Sequence, residues 1–201
     1  MVTQVVTGLL ADTVIVGIVS TILAAPGDLE LVRRFVNTRD VERGTDDLDG
    51  PDGLRAWLGA VLEPGVTVRA RDVREAVELR EALRTAMLAN HDGSDLPQDA
   101  LAVLNRTAGR AALNVGFSGT GWHPEPARSG VDGALGRLLA IVVRAMADGT
   151  WGRLKACQND ECRWAFYDHS NARRSKWCDM RICGNRAKQK AWRARSASGA
   201  A

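Results

Sequence analysis

The chain has 201 residues, with 27 Lys and Arg against 24 Asp and Glu, 20 Gly, 6 Trp and 4 Cys, which suits one main folded domain plus a small one. Charge is unevenly divided. Residues 151–201 carry +8 and the 150 before them −5, so a polyanion partner would be met by the C-terminal quarter and not by the body. All four cysteines lie in that quarter too, which argues against a disulfide scaffold for the rest.

Residues 1–27 hold no Lys or Arg, one Asp at 12, and an apolar, β-branched run from Val14 to Ala25. That run is too short to span a bilayer, and the missing positive start argues against a secretory signal although Leu23-Ala24-Ala25 mimics a cleavage site. The segment is read as an extension of uncertain order. A cytoplasmic location with no membrane partner is expected.

Asp28 to Thr38 reads as a helix, with Leu29, Val32 and Val36 spaced for burial and Phe35 beside them. An acidic, glycine-punctuated loop from Glu42 to Gly50 follows. A second helix starts at Pro51 and ends before Pro64-Gly65. Arg71 to Asn90 is the clearest helix, its apolar stripe formed by Val73, Val77, the Leu79 to Leu83 step and Met87. Leu96-Pro97 opens another that runs to about Ala108. Ala111–Ser118 and the Gly119–Arg128 segment read as a hairpin or two short strands, the β content of the body. Val131 to Ala147 forms the last body helix, with Leu135, Leu138, Leu139, Val142, Val143 and Met146 burying one side. Asp148-Gly149-Thr150 is then a joint too brief for a floppy linker.

Chemistry in the body amounts to near misses. Gly116-Phe-Ser-Gly-Thr-Gly121 is spaced like a phosphate loop, but Trp122 and His123 stand where Lys and Ser or Thr are required. Thr120 also rules out a nucleophile elbow. His91 and His123 have no patterned carboxylate or Cys near them. Asn105-Arg-Thr107 fits a glycosylation acceptor that matters only in a secreted protein. No catalytic residue is nominated, and a non-enzyme is expected.

The cysteines carry more. Cys157 and Cys162 enclose four residues, Cys178 and Cys183 enclose four more, and fifteen separate the pairs. Four thiolates satisfy one tetrahedral Zn²⁺, and this spacing is close to the paired-cysteine zinc patterns. With every coordination position filled by sulfur the ion is structural, and the module keeps about +6 once four thiolates and one Zn²⁺ are counted.

From Asn185 the sequence reads as a helix of good formers, placed just after Gly184. At about 100° per residue Arg186, Lys190 and Arg193 share one narrow face, and Ala187, Ala191 and Ala194 line the neighbouring one, so one side would pack and the other meet phosphates. Arg173, Arg174 and Lys176, in the loop before the second cysteine pair, add candidate phosphate contacts. Asn185 and Arg186 read equally well as braces of the zinc site. Trp164, Phe166 and Trp177 read as a miniature core over the metal, with base stacking as the alternative. His169 is read as a loop residue.

Trp151-Gly-Arg-Leu-Lys155, Cys162-Arg-Trp-Ala-Phe-Tyr-Asp168, Lys176-Trp-Cys178 and Cys183-Gly-Asn-Arg186 together resemble a CGNR zinc finger. Upstream, Phe35-Val-Asn-Thr38, Leu48, Pro51, Leu54 and Trp57-Leu58, in that order, resemble the start of the ABATE domain, which commonly precedes such a finger. The resemblance implies a stress-responsive transcription regulator with a nucleic-acid-binding finger and a sensing or effector-binding body.

The expected fold is mainly α (α+β): an N-terminal extension over 1–27, an ABATE-like helical domain with a small hairpin over 28–147, a Cys₄ finger with a terminal helix over 151–195, and a disordered tail over 196–201. The expected function is a zinc-containing DNA-binding transcriptional regulator. An RNA-binding module and a protein-interaction adaptor with a structural zinc clip are the alternatives. The candidate nucleic-acid contacts are Arg173, Arg174, Lys176, Asn185, Arg186, Lys190 and Arg193, and the metal ligands Cys157, Cys162, Cys178 and Cys183. A small-molecule effector and a homodimer complete the partners considered.

Overall fold

The computed structural model describes residues 23–61, 65–119 and 121–198. Residues 1–22, with most of the extension and most of the Val14–Ala25 run, lie outside them, as do residues 199–201, whereas Ala25 is described and buried in the main core. Among the described residues, six α-helices and three two-stranded antiparallel sheets make a mainly α fold with small β elements.

α1 (Leu29–Val36) buries Leu29, Val32, Phe35 and Val36, as the spacing predicts. The Phe35 ring sits 5.1 Å from that of Trp57 on α2 (Gly50–Val61), which ties the first two helices together. α3 (Ala70–Ala89) is the spine of the body, touched by α1, α2, α4 (Gln98–Arg110) and α5 (Gly130–Ala147). Its start is capped by Asp72, whose carboxylate accepts the Arg69 N–H at 2.8 Å. Leu79, Leu83 and Met87 of α3 and Leu135, Leu138 and Leu139 of α5 fill the centre.

The predicted hairpin is present as β3 (Leu113–Ser118) and β4 (Gly121–Pro126), with Leu113 opposite Pro126 and Phe117 opposite Trp122. Its base lies against α5 at Gly136, where a Cβ would come within 2.5 Å of Ala111 Cβ and 2.9 Å of Pro126 Cβ, so only glycine permits the approach. Towards its turn, Phe117 and Trp122 are exposed.

Two expectations for the body need correction. Val143 and Met146 are exposed, because the C-terminal turns of α5 run past the core and present Val142 and Ala145 to it, with Ile141 partly buried beside them. The acidic loop is not irregular throughout: β1 (Arg39–Asp40) and β2 (Thr45–Asp46) pair as a tight hairpin. Arg80 of α3 fastens that hairpin, donating to Asp46 at 2.6 and 2.9 Å.

The C-terminal module begins with a 3₁₀ turn, Trp151–Arg153, followed by β5 (Leu154–Ala156) and β6 (Ala165–Tyr167). Trp151, Leu154, Ala156 and Ala165 belong to the same buried cluster as the body helices, so the first half of the module is part of the main core. A two-stranded sheet leaves its outer peptide groups without strand partners. The body supplies them: the Asn37 side chain both accepts from Ala165 N at 2.7 Å and donates to Ala165 O at 2.9 Å. Asn90 donates to the carbonyls of Trp151 and Leu154, and Arg84 to that of Arg163.

The last element among the described residues is α6 (Asn185–Ser198). It runs three residues beyond the expected stop at 195, because no breaker intervenes before Gly199. The packing expected of Ala187, Ala191 and Ala194 is not made: Ala191 and Ala194 are exposed and Ala187 is only half-buried. Three methyl groups offer too little apolar area to hold a helix against a surface.

Candidate metal centre and nucleic-acid interface

Two chain segments bring the thiols together. Cys157 follows β5, and its N–H donates to Trp164 O at 2.9 Å, which folds the first pair back on itself. The second pair encloses a turn capped by Asp179, whose carboxylate accepts from Arg181 N at 2.6 Å and Ile182 N at 3.2 Å. A π-helical turn, Met180–Gly184, then leads directly into α6. At Gly184 a Cβ would lie 3.1 Å from Trp177 Cδ1 and closer still to the Met180 thioether, so glycine lets the turn close.

The four sulfurs of Cys157, Cys162, Cys178 and Cys183 all lie within 4.8 Å of one another. Cys162 Sγ is 3.6 Å from Cys178 Sγ, which is 3.8 Å from Cys183 Sγ. A tetrahedron with Zn–S bonds of about 2.3 Å has S–S edges of about 3.8 Å, so the donor set fits that ion. The acid chemistry points the same way. Hydrogen bonding to Cys157 pushes the Cys162 and Cys178 thiols up and burial raises Cys183, while the same hydrogen bonds hold Cys157 well below its ordinary value. Four such thiols cannot all ionise unless a cation offsets their charge. Asn159 Nδ2 points at Cys183 Sγ from 3.8 Å, a donor suited to a metal-bound sulfur.

Trp164 and Trp177 pack around the thiols as the miniature core. Phe166 does not join them. It is buried 6.4 Å from the His91 ring, and His91 Nε2 lies 2.7 Å from Ala156 O. His169 is an exposed loop residue that stacks edge-on with Tyr167.

A model of the family described as "Putative stress-induced transcription regulator" (ABATE) matches residues 29–149, and a CGNR zinc finger model matches 153–196. The chain belongs to the ABATE family. Comparison with curated proteins gives no match.

The ABATE and CGNR segments meet at the candidate interface. Arg173, Arg174 and Lys176 are exposed, on a loop whose order comes from a buried ion pair the sequence reading missed. Lys155 Nζ, 1% exposed, donates to Asp168 Oδ2 at 3.0 Å and to the Arg173 carbonyl at 2.6 Å. Arg173 has φ of 52°, which turns that carbonyl inward while its side chain stays out. Asp168 also accepts from the N–H and hydroxyl groups of Ser170 and Ser175, and so holds both ends of the loop. Burial alone would push its carboxyl up. The hydrogen bonds from Ser170, Ser175 and Lys155 outweigh that and hold it well below the usual carboxylate range. The signal for this was legible in part: Ser two and seven positions after an Asp, and a Lys inside a strand otherwise made of Leu154 and Ala156.

Asn185 braces the zinc turn, donating to Arg181 O at 2.8 Å. Arg186 reaches the ABATE domain, where it donates to Glu42 at 2.8 Å. Arg186, Lys190 and Arg193 line an open cleft of about 360 Å³ whose other wall carries Asn159, Asp160 and Glu161 of the CGNR finger.

Proposed function

We propose that the chain is a non-enzymatic, DNA-binding transcription regulator whose CGNR finger docks on the polymer and whose ABATE domain is the sensing or effector part. The observation that carries this reading is α6: five Lys or Arg and no acid on a helix whose described side chains are almost all exposed, rooted directly in the cysteine cluster. A basic element pays a solvation cost if it packs on protein and gains counterion release if it meets phosphates. One Zn²⁺ held by Cys157, Cys162, Cys178 and Cys183 fixes the direction of α6, and the Asp168–Lys155 pair fixes the loop that carries Arg173, Arg174 and Lys176. The family description and the basic charge of the finger both support a nucleic-acid partner.

Duplex DNA is favoured over single-stranded RNA by what the aromatic rings of the cysteine loops do. Trp164 and Trp177, each partly buried, pack against the thiols and Phe166 is buried, which leaves little of these rings for stacking on bases. The test is selection from a random duplex pool by zinc-loaded protein at physiological salt, with single-stranded RNA as competitor. An enriched motif that survives competition is the expected result. RNA displacing duplex with no motif enriched would refute it.

A further inference from the structure

The nucleic-acid reading leaves open which side of α6 meets the polymer, and the following inference rests on that reading. Arg186, Lys190 and Arg193 lie on the side turned toward the protein: they line the cleft opposite Asp160 and Glu161, and Arg186 is engaged by Glu42. A polyanion on that side would have to displace one carboxylate and approach two more.

Lys188, Trp192 and Arg195 follow one another at i, i+4 and i+7, which at about 100° per residue puts them together on the reverse side of the helix. All three are exposed, and none makes a side-chain hydrogen bond or ion pair with a described residue. Trp192 is 64% exposed. A single apolar side chain in water is ordinary on a protein surface. This one is the largest side chain there is, placed between two cations on a helix whose other apolar side chains are all alanines.

We infer that Lys188, Trp192 and Arg195 form the face that enters the major groove of duplex DNA. An α-helix with its side chains is about 10–12 Å across and the groove about 12 Å wide, so a helix free on this side fits. From Lys188 to Arg195 the helix rises about 10 Å, which spans about three base-pair steps. Lys188 and Arg195 then reach phosphates or guanine edges, and Trp192 lies between them against the apolar thymine methyl groups.

The experiment uses full-length, zinc-loaded protein and a duplex it retains at physiological salt. K188A, W192A, R195A and their triple combination are compared with the cleft-side triple R186A/K190A/R193A, on that duplex and on each of its single strands. Zinc content and far-ultraviolet circular dichroism establish that every variant keeps its module. The expected result is a loss of about tenfold or more in duplex affinity for W192A, and a decrease of about one in the salt slope for K188A and for R195A. The cleft-side triple should lose less than the outer triple. If the outer variants bind like wild type while the cleft-side triple fails, the face is wrong and the DNA-binding reading stands. If W192A weakens only single-strand binding, stacking on unpaired bases replaces groove insertion. A wild-type protein that retains no nucleic acid at physiological salt would instead overturn the underlying function.

Discussion

Glu42, in the acidic hairpin of the ABATE domain, accepts a 2.8 Å hydrogen bond from the guanidinium of Arg186 on α6, 144 positions later in the chain. The Arg186 hydrogen bond holds the Glu42 carboxyl below its ordinary range. Half of each side chain is in water, so the pair contributes little to stability, yet it places a carboxylate beside the helix proposed to meet DNA.

Removing that carboxylate should help a polyanion. Glu42→Gln is expected to raise duplex affinity by about two- to fivefold at low salt, with the gain fading as ionic strength screens it. Thermal stability and zinc content should stay at the wild-type level. Identical binding isotherms for the two proteins across the salt range would show that the acidic hairpin does not influence the finger.

Asp168 gives a pH-dependent prediction. Its folded pKa is depressed, so its contribution is present above the unfolded value of about 3.9 and is lost as pH falls through the lower, folded value. Asp168→Asn leaves buried Lys155 without its counter-charge and should cost about 3–5 kcal/mol at neutral pH. The stability difference between variant and wild type, from urea unfolding, should shrink as pH falls below about 4. Thiol protonation and metal loss are common to both proteins and drop out of that difference. A difference that stays constant from neutral pH into this acid range would contradict the assignment.

Asn37 replaces a missing third strand for the β5–β6 pair. Asn37→Ala orphans one N–H and one C=O of Ala165 and should cost about 1–3 kcal/mol. The loss should be seen by hydrogen exchange as faster exchange of the Ala165 amide, since that N–H now has no acceptor. Unchanged protection at Ala165 would mean that β6 is held by its apolar contacts alone.

The helices were legible because their apolar spacing matches a period of 3.6 residues, and the finger because four cysteines at fixed spacing have few other uses. Periodicity gives the direction of a buried face but not how far along the helix the core extends, which is why Val143 and Met146 were misread. Alanine at 187, 191 and 194 matched a packing face in period while lacking the area to make one. The bonds from Asn37, Arg84 and Asn90 to the finger backbone join positions more than 60 residues apart, and polar side chains carry no period that would reveal such partners. The docking of β5 and β6 into the ABATE core was hidden for the same reason.

That docking makes metal removal a graded event. Trp151, Leu154, Ala156 and Ala165 sit in the main core, whereas Cys178, Cys183 and α6 have the cysteine cluster as their anchor. Chelation, or Cys178→Ser, should therefore abolish duplex binding and release the segment from about Cys178 onward while leaving β5 and β6 folded. Metal analysis is expected to fall from one zinc per chain to a small fraction of that in the variant. Hydrogen exchange should show amide protection kept at Leu154–Ala156 and Ala165–Tyr167 and lost from α6. Wild-type duplex affinity in protein stripped of zinc would sink the idea that the ion aims α6. Unfolding of the ABATE helices along with the finger would show instead that the two are a single cooperative unit.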